Sequence, residues 1–489
     1  RRTSAAPSAL PSAAASRSPT PPRTPSKVDF AMPVPVAAQL REALNSVYAA
    51  GLDSSDEFIA RAELALRDLE GQGEQVRIDL DKILGDWARL SAPEVNLVSL
   101  GEIRDSLNKC LKRANAAGLG DVQEAELCRR RAHNMIEDIR GQIRVFCRVR
   151  PLNEREEAEC CEPALEPIDD MTLKAPQGCF SFDSVLAPGS QEDVFDECRD
   201  LVQSAVDGYN VTIFAYGQTG AGKTYTMYGS PEQPGVASRT THELFRIIAG
   251  MEHRYAVTVT ASMVEMYNNT LIDLLPAERR RGSSSRSPTK LSVRRDGANS
   301  VEVDQLAEWE AEGAADLQTL LDRGLAQRTV AANAMNIESS RSHLIFTIRV
   351  TTVDRVTRST SQGKILLCDL GGSERLKKTE SVGSHRKEAI EINKSLTALG
   401  NVIEAVARKT RQVPYREHKL TQIMQDSIGG SAKTLMFVNC SPAWSNASET
   451  WMSLIYAARA KKVTNLGAAS PSSRTPFSPS GSPKGLFRY

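Results

Sequence analysis

The chain has 489 residues, 61 Lys and Arg against 60 Asp and Glu, a formal net charge of +1, and 40% hydrophobic residues. That is enough for a large core and more than one folded unit, and it gives no bulk-charge reason to expect a nucleic-acid partner. No apolar run approaches the length of a membrane-crossing helix, which excludes a helical span. The nine cysteines form no CxxC pair or even framework, so reduced thiols in a cytoplasmic protein are expected rather than a metal cluster or a disulfide scaffold.

In chain order, residues 1–35 are expected to be a disordered tail. Up to position 28 they are rich in Ala, Ser, Pro and Arg and carry no acidic residue. Pro19, Pro21, Pro22 and Pro25 oppose the amphipathic helix of an organelle transit peptide. The first residue is Arg1, so the sequence can be a piece of a longer protein. Residues 36–140 read as polar helices, with apolar spacing in Phe58–Leu69 and Val76–Leu90. Val122, Ala125, Arg129, Ala132, Ile136 and Ile139 lie three and four apart, as on a coiled-coil seam. The seam lasts under three heptads and carries Arg129. It leaves open a helix packed on its neighbours and a homodimer through a short neck helix near 122–140. Strands and helices then alternate from 141 to 466, the pattern of an α/β domain around a central sheet. Residues 467–489 are again rich in Ser, Pro and Gly and are expected to be disordered.

Asn210–Tyr216, NVTIFAY, reads as a buried strand. It runs into Gly217, Gln218, Thr219, Gly220, Ala221, Gly222, Lys223 and Thr224, which fill GxxxxGK[ST]. In that context the backbone N–H groups cradle phosphates, Lys223 reaches the β/γ-phosphates and Thr224 ligates magnesium. A second apolar strand, Lys364–Cys368, leads into Asp369, Leu370, Gly371, Gly372, Ser373 and Glu374. Its aspartate can hold a magnesium shell, and Gly372 can offer an N–H to a γ-phosphate. Between the two lies Asn336 to His343, NIESSRSH, before an expected strand Leu344–Val350. Adjacent Ser339 and Ser340 could orient a water and bind magnesium while Arg341 clasps a carboxylate; a plain serine-rich turn also stays open.

Together and in this order, GQTGAGKT, NIESSRSH and DLGGSE resemble the phosphate loop and two switches of the kinesin motor domain, over about Gln142 to Asn465. The resemblance implies a P-loop NTPase α/β fold: a mixed, mostly parallel-type central sheet flanked by helices and preceded by a helical region. It implies ATP and Mg2+, with Arg148, Arg150 and Pro151 in the adenine-contacting segment and Tyr225 stacking on the base. Neither NKCL (Asn108–Leu111) nor NKSL (Asn393–Leu396) is the NKxD that reads guanine, which favours ATP. Lys223, Ser339, Arg341, Gly372 and Glu374 would be the catalytic set, an Arg341–Glu374 bridge closing the switches around ATP.

The same resemblance assigns Glu391–Gly400 to the helix after the second switch, and Pro414–Thr421 to the loop and helix that face the microtubule. Lys377, Lys378, Lys394, Arg416 and Lys419 would meet tubulin's acidic surface. Three positions depart from the family pattern: Gly371 for alanine, Glu417 for a neutral residue, and Asn269 for glutamate. With a helix before the motor-like region, the order resembles C-terminal-motor, minus-end-directed kinesins, nearest to the plant kinesin-like calmodulin-binding proteins. Residues 466–489, however, lack a calmodulin target's basic amphipathic helix. The implied function is a microtubule-stimulated ATPase and motor on cytoplasmic microtubules, the spindle included. A microtubule-bound scaffold with little turnover is the alternative. Arg279–Arg295 carries seven positive charges and no acid, and its Ser287-Pro288-Thr289-Lys290 suits a proline-directed kinase.

Overall fold

The computed structural model describes residues 36–50, 57–89, 97–117, 122–276, 291–295, 301–335, 339–375 and 384–465. The two expected tails, Ser287, Lys377 and Lys378 lie outside them, as does the start of NIESSRSH. Contacts divide the chain into two compact units: residues 1–76 with 113–120, and residues 77–112 with 121–489.

The N-terminal helices are α1 (Val36–Ala49), α2 (Glu57–Arg89), α3 (Leu97–Ala117) and α4 (Gln123–Arg140). The two apolar stretches read at 58–69 and 76–90 are one helix, α2. Nothing lies within 4 Å of a Cβ built on Gly71, so the helix passes that glycine at an open position. Leu100, Leu107, Leu111 and Ala114 of α3 are buried at the spacing of one helical face.

After α4 come β1 (Arg144–Val149), α5 (Glu154–Ala158), a small sheet of β2 (Glu166–Pro167), β3 (Thr172–Ala175) and β4 (Gly178–Ser181), and then β5 (Ser184–Leu186). There follow α6 (Gln191–Asp196), α7 (Arg199–Val206), β6 (Asn210–Tyr216), α8 (Lys223–Met227) and α9 (Val236–Met251). The hairpin β7 (Tyr255–Tyr267) and β8 (Thr270–Asp273) precedes the pair β9 (Ser292–Arg295) and β10 (Val301–Asp304), then β11 (Trp309–Ala311) and α10 (Ala314–Met335). The chain continues through β12 (His343–Asp354), β13 (Thr360–Asp369), α11 (Ser384–Ala407), α12 (Lys419–Ile423), β14 (Lys433–Cys440) and α13 (Ala447–Ala460).

The central sheet runs β11-β7-β12-β13-β6-β14-β1-β5, with β8 on β7. It is mixed, as expected, but its parallel character is confined to one half. β13-β6-β14-β1-β5 pair in parallel, whereas β11, β7, β8, β12 and β13 pair antiparallel. Long strands β12 and β13 follow each other through a short turn, which forces an antiparallel pair.

Both faces of the sheet are covered, and strand residues alternate between them. Val211, Ile213 and Ala215 of β6 face a core with Leu201, Leu244 and Leu321 of α7, α9 and α10. Phe214 and Tyr216 face the other core, with Leu399, Leu420 and Leu454 of α11, α12 and α13. The domain closes on itself where the Asn465 N–H donates to Gly141 O at 2.7 Å and Gln142 bridges to Thr464.

Helix α4 packs its seam within the single chain. Ala125, Arg129, Ala132 and Ile136 are buried, while Ile139 is exposed. Arg129 pairs with Asp170 and touches the Met171 sulfur, and His133 lies 2.7 Å from Asp183, which Lys461 also meets at 3.0 Å. A dimer through this seam would require α4 to leave that surface.

Candidate nucleotide-binding site

Strand β6 delivers the phosphate loop at its carboxyl end, between two parallel neighbours, β13 and β14, where open α/β sheets bind ligands. A Cβ on Gly217 (φ +150°) would lie 2.3 Å from the Asn439 carbonyl oxygen, so only glycine lets the loop cross β14 this closely. Gly220 and Gly222 have φ of +76° and +95° with open space around them. There the requirement is backbone conformation, which turns the loop into α8.

Lys223 is buried, and its ammonium donates to the carbonyls of Gly217 and Gln218 at 2.9 Å each. Burial lowers its pKa, opposed by the charges of Asp369 and Glu374. Thr224 Oγ1 donates to Asp369 Oδ2 at 2.7 Å, while Asp369 Oδ1 is buried with no hydrogen-bond partner. That orphaned oxygen beside a threonine hydroxyl fits a hard divalent cation, which takes oxygen ligands. Behind it, Arg328 comes within 3.6 Å of Asp369 Oδ2 and meets Glu265 and Ser342 in a buried cluster.

The two switch-like segments converge on the loop through main-chain bonds. The Gly372 N–H donates to Ser340 O at 2.8 Å, and the Ser373 N–H to Gly217 O at 3.1 Å. Both Glu374 carboxylate oxygens are engaged by Thr219, one by its N–H at 2.8 Å and one by its hydroxyl at 2.6 Å. A Cβ on Gly372 would lie 2.3 Å from Thr219 Oγ1 and 2.4 Å from Glu374, so glycine makes that arrangement possible. Gly371 is closely packed rather than loose: a Cβ there would meet Ile392 and Ser340 O at 3.2 Å.

At the expected base end, Tyr225 is 45% exposed, with the buried Arg148 guanidinium 5.4 Å from its ring centroid. Arg148 is held by Gln191, Thr226 and the Gly189 carbonyl, each at 2.9 Å. Arg150, beside Pro151, donates to Gly220 O at 2.7 Å and grips Glu156 with two bonds of 2.6 and 2.7 Å. The structure thus brings Arg148, Arg150, Tyr225, the loop, Asp369, Gly372 and Glu374 into one site.

On the expected tubulin-facing elements, the Lys394 side chain is 61% exposed and 3.6 Å from Glu391. Arg416 is exposed in a short 3-10 turn, Tyr415–Glu417, and Lys419 opens α12. Two of the departures have local explanations. Asn268 and Asn269 take positive φ (+46° and +57°) in the β7–β8 hairpin turn, which asparagine tolerates and glutamate resists, and Asn269 Oδ1 accepts from the Lys419 N–H at 3.4 Å. Glu417 accepts from Asn401 at 3.4 Å.

Sequence reading missed Asn439, Gln191, Glu156, Ser441, Arg328 and His343. Asn439 limits the loop through its carbonyl and donates to Thr226 at 2.7 Å. All but His343, which ends NIESSRSH, lie on segments remote from the motifs and follow no spacing rule; only the strand order places β14 beside β6.

A model of the kinesin motor domain matches residues 148–463. The chain is 41% identical over 427 residues to the Arabidopsis thaliana kinesin-like protein KIN-14E, covering 82% of this chain and 33% of that protein. It is 45% identical over 349 residues to KIN-14I of Oryza sativa subsp. japonica, covering 70% and 28%. The chain therefore spans a third or less of the length of those curated relatives. Among solved structures, a fast kinesin analysed for its ATPase mechanism and microtubule interactions superposes with a TM-score of 0.64 and 36% identity, over 71% of this chain and 97% of that one. A KIF14 dimer in a two-heads-bound state, with AMP-PNP and in complex with a microtubule, gives 0.60 and 34%, over 66% and 94%.

Proposed function

Because this chain belongs to the kinesin motor-domain family, we propose that it hydrolyses ATP and uses the cycle to move along microtubules, toward their minus ends. The observation that carries this reading is the joining of three segments at one point. Gly217 of the phosphate loop, Ser340 and the Gly372–Glu374 turn are tied by bonds among themselves, so a γ-phosphate bound there would be sensed by all three.

Lys223 is already lodged in the loop, where its charge meets the β/γ-phosphates, and Tyr225 with Arg148 offers a flat face for the adenine. Thr224, Asp369 and Ser340 are the residues that would hold magnesium, which supplies charge neutralisation at the phosphates when bound. Glu374 leaves Thr219 and bridges to Arg341 as the switches close, Ser339 orients the attacking water, and the Gly372 N–H exchanges Ser340 O for the γ-phosphate. In this account Thr219 competes with Arg341 for one carboxylate, which makes closure reversible.

Motion is passed through α11 to the surface bearing Lys394, Arg416 and Lys419. Direction is read from the order of elements, with α4 lying directly before β1 and docked on the domain. Family order and relatives named KIN-14 support it. A gliding assay on polarity-marked microtubules tests motility and direction together: minus-end-directed motion is expected, and plus-end motion overturns the direction. Binding without ATP-dependent movement would favour the scaffold alternative.

A further inference from the structure

We propose that His343 is a positioning residue, carrying the state of the glycine turn at Gly371 to helix α11 through a hydrogen-bond relay of fixed direction. The Gly371 N–H meets His343 Nδ1 at 3.0 Å, His343 Nε2 lies 2.7 Å from Ser395 Oγ, and Ser395 Oγ donates to the Ile392 carbonyl at 2.6 Å. An amide N–H can only donate, so Nδ1 carries the lone pair. A neutral imidazole then has its proton on Nε2, which donates to Ser395, whose own proton is spent on Ile392. The chain of donors runs one way, from the turn to the helix, and no link can reverse while the others stand.

His343 and Ser395 are buried, at 2% and 1% exposure, so neither can exchange its partner for water. Each end of the relay has a role in the site. The next residue after Gly371 donates to Ser340 O, and Glu374 lies three residues on, held by Thr219. His343 itself opens β12 just after the Ser339–Arg341 turn, so one imidazole is fixed to one switch-like segment, bonded to the other, and bonded to α11. A shift of the Leu370–Glu374 turn must therefore either move α11 or break a buried hydrogen bond. Packing of Ile392 against Gly371 alone would permit sliding.

This relay rests on the proposed motor function, since it couples the nucleotide site to the helix that serves the track. Ser395→Ala cuts the relay at the helix. His343→Asn keeps an acceptor near the Nδ1 position for Gly371 but falls short of Ser395. Each should lower the ratio of microtubule-stimulated to basal ATPase about five- to tenfold, the worth of one buried hydrogen bond and its orphaned partner. Ser395→Thr, which retains the hydroxyl, should restore the ratio, and the double variant should be no worse than either single one, because the three groups act as a unit. Equal falls in stimulated and basal rates, or an unchanged ratio, would mean a purely structural histidine and overturn the relay. Amide hydrogen exchange separates this from failure of the motor reading. On adding a non-hydrolysable ATP analogue, protection of α11 should change in wild type and not in Ser395→Ala, whether or not microtubules accelerate turnover. Identical responses in the two proteins would overturn the relay by itself.

Discussion

Around Gly217 the side chains expected to meet phosphate and magnesium are tied across distant segments, the exposed Thr219 to Glu374, the exposed Thr224 to Asp369, and the buried Lys223 to its own loop's carbonyls. Among the cations expected to meet tubulin, Lys394 of α11 and Arg416 of the turn before α12 stand in solvent while Lys419 is half-buried, Lys394 being 61% exposed and 3.6 Å from Glu391. The first region works by geometry, where a displaced atom breaks several bonds at once. The second works by summed charge, where each member is replaceable. A single substitution should therefore be severe on one side of the domain and mild on the other.

Glu374→Ala is the strongest test of the first half. It should leave ATP binding near normal and lower microtubule-stimulated turnover by orders of magnitude, because positioning and electrostatics dominate phosphoryl transfer. A fluorescent-nucleotide titration beside steady-state ATPase reads both; near-normal turnover would remove Glu374 from the mechanism.

Next in size is Gly217→Ala, whose methyl would sit 2.3 Å from a backbone oxygen of β14. Loop and strand must part, at a cost of about 3 kcal/mol. Thermal unfolding should show a fall in Tm of several degrees together with weakened nucleotide affinity. Wild-type values for both would mean that the loop does not depend on this close approach.

A buried site also titrates differently from an exposed one. Burial, with the charges of His418, Arg328 and Lys223 adding to it, holds the His343 imidazole neutral by lowering its pKa from 6.5 to about 3. Between those values the unfolded chain binds a proton that the folded chain does not. This contribution is therefore constant above the unfolded pKa, and stability is lost as the pH falls through that window. In His343→Gln the loss between neutral pH and about pH 5 should be smaller than in wild type by about 1–2 kcal/mol. Urea unfolding at the two pH values measures it, and parallel losses would place the titration elsewhere, as at His418, another described histidine whose pKa burial lowers.

The smallest effects belong to the exposed cations. Arg416→Ala or Lys394→Ala should each weaken microtubule co-sedimentation only two- to fivefold, since exposed ion pairs contribute about 0.2–1 kcal/mol each. The effect should fade as salt rises. Basal ATPase should not change. A loss of a hundredfold from either substitution would mean that the track side, too, contains a built site.

The same contrast explains what the sequence made legible. Local chemistry was readable: NVTIFAY fills β6 to the residue, the glycines of GQTGAGKT sit where positive φ or a close approach demands them, and DLGGSE follows β13. The seam of α4 was readable as a pattern, but its partner was not. Arg129 interrupts a coiled coil, and its destination, Asp170, is set by tertiary packing that no heptad count contains. Asn439, Arg328 and Ser395 escaped for the same reason, because their roles exist only once β14, α10 and α11 are placed beside the loop and the switches. The mixed sheet was legible, with its parallel share emphasised because the motifs that dominate the reading lie mainly in its parallel half. Gly371, noted in the sequence only as a departure from the family's alanine, is closely packed, a Cβ there meeting Ile392 and Ser340 O at 3.2 Å.

The central claim is that the pocket around Lys223 and Glu374 turns over ATP in response to the track. Phosphate release by the wild-type chain, measured with ATP and magnesium across a series of microtubule concentrations, addresses it directly. The account predicts a rate that rises many-fold and saturates with microtubules. A rate that stays at its basal value while the protein co-sediments with them would contradict it.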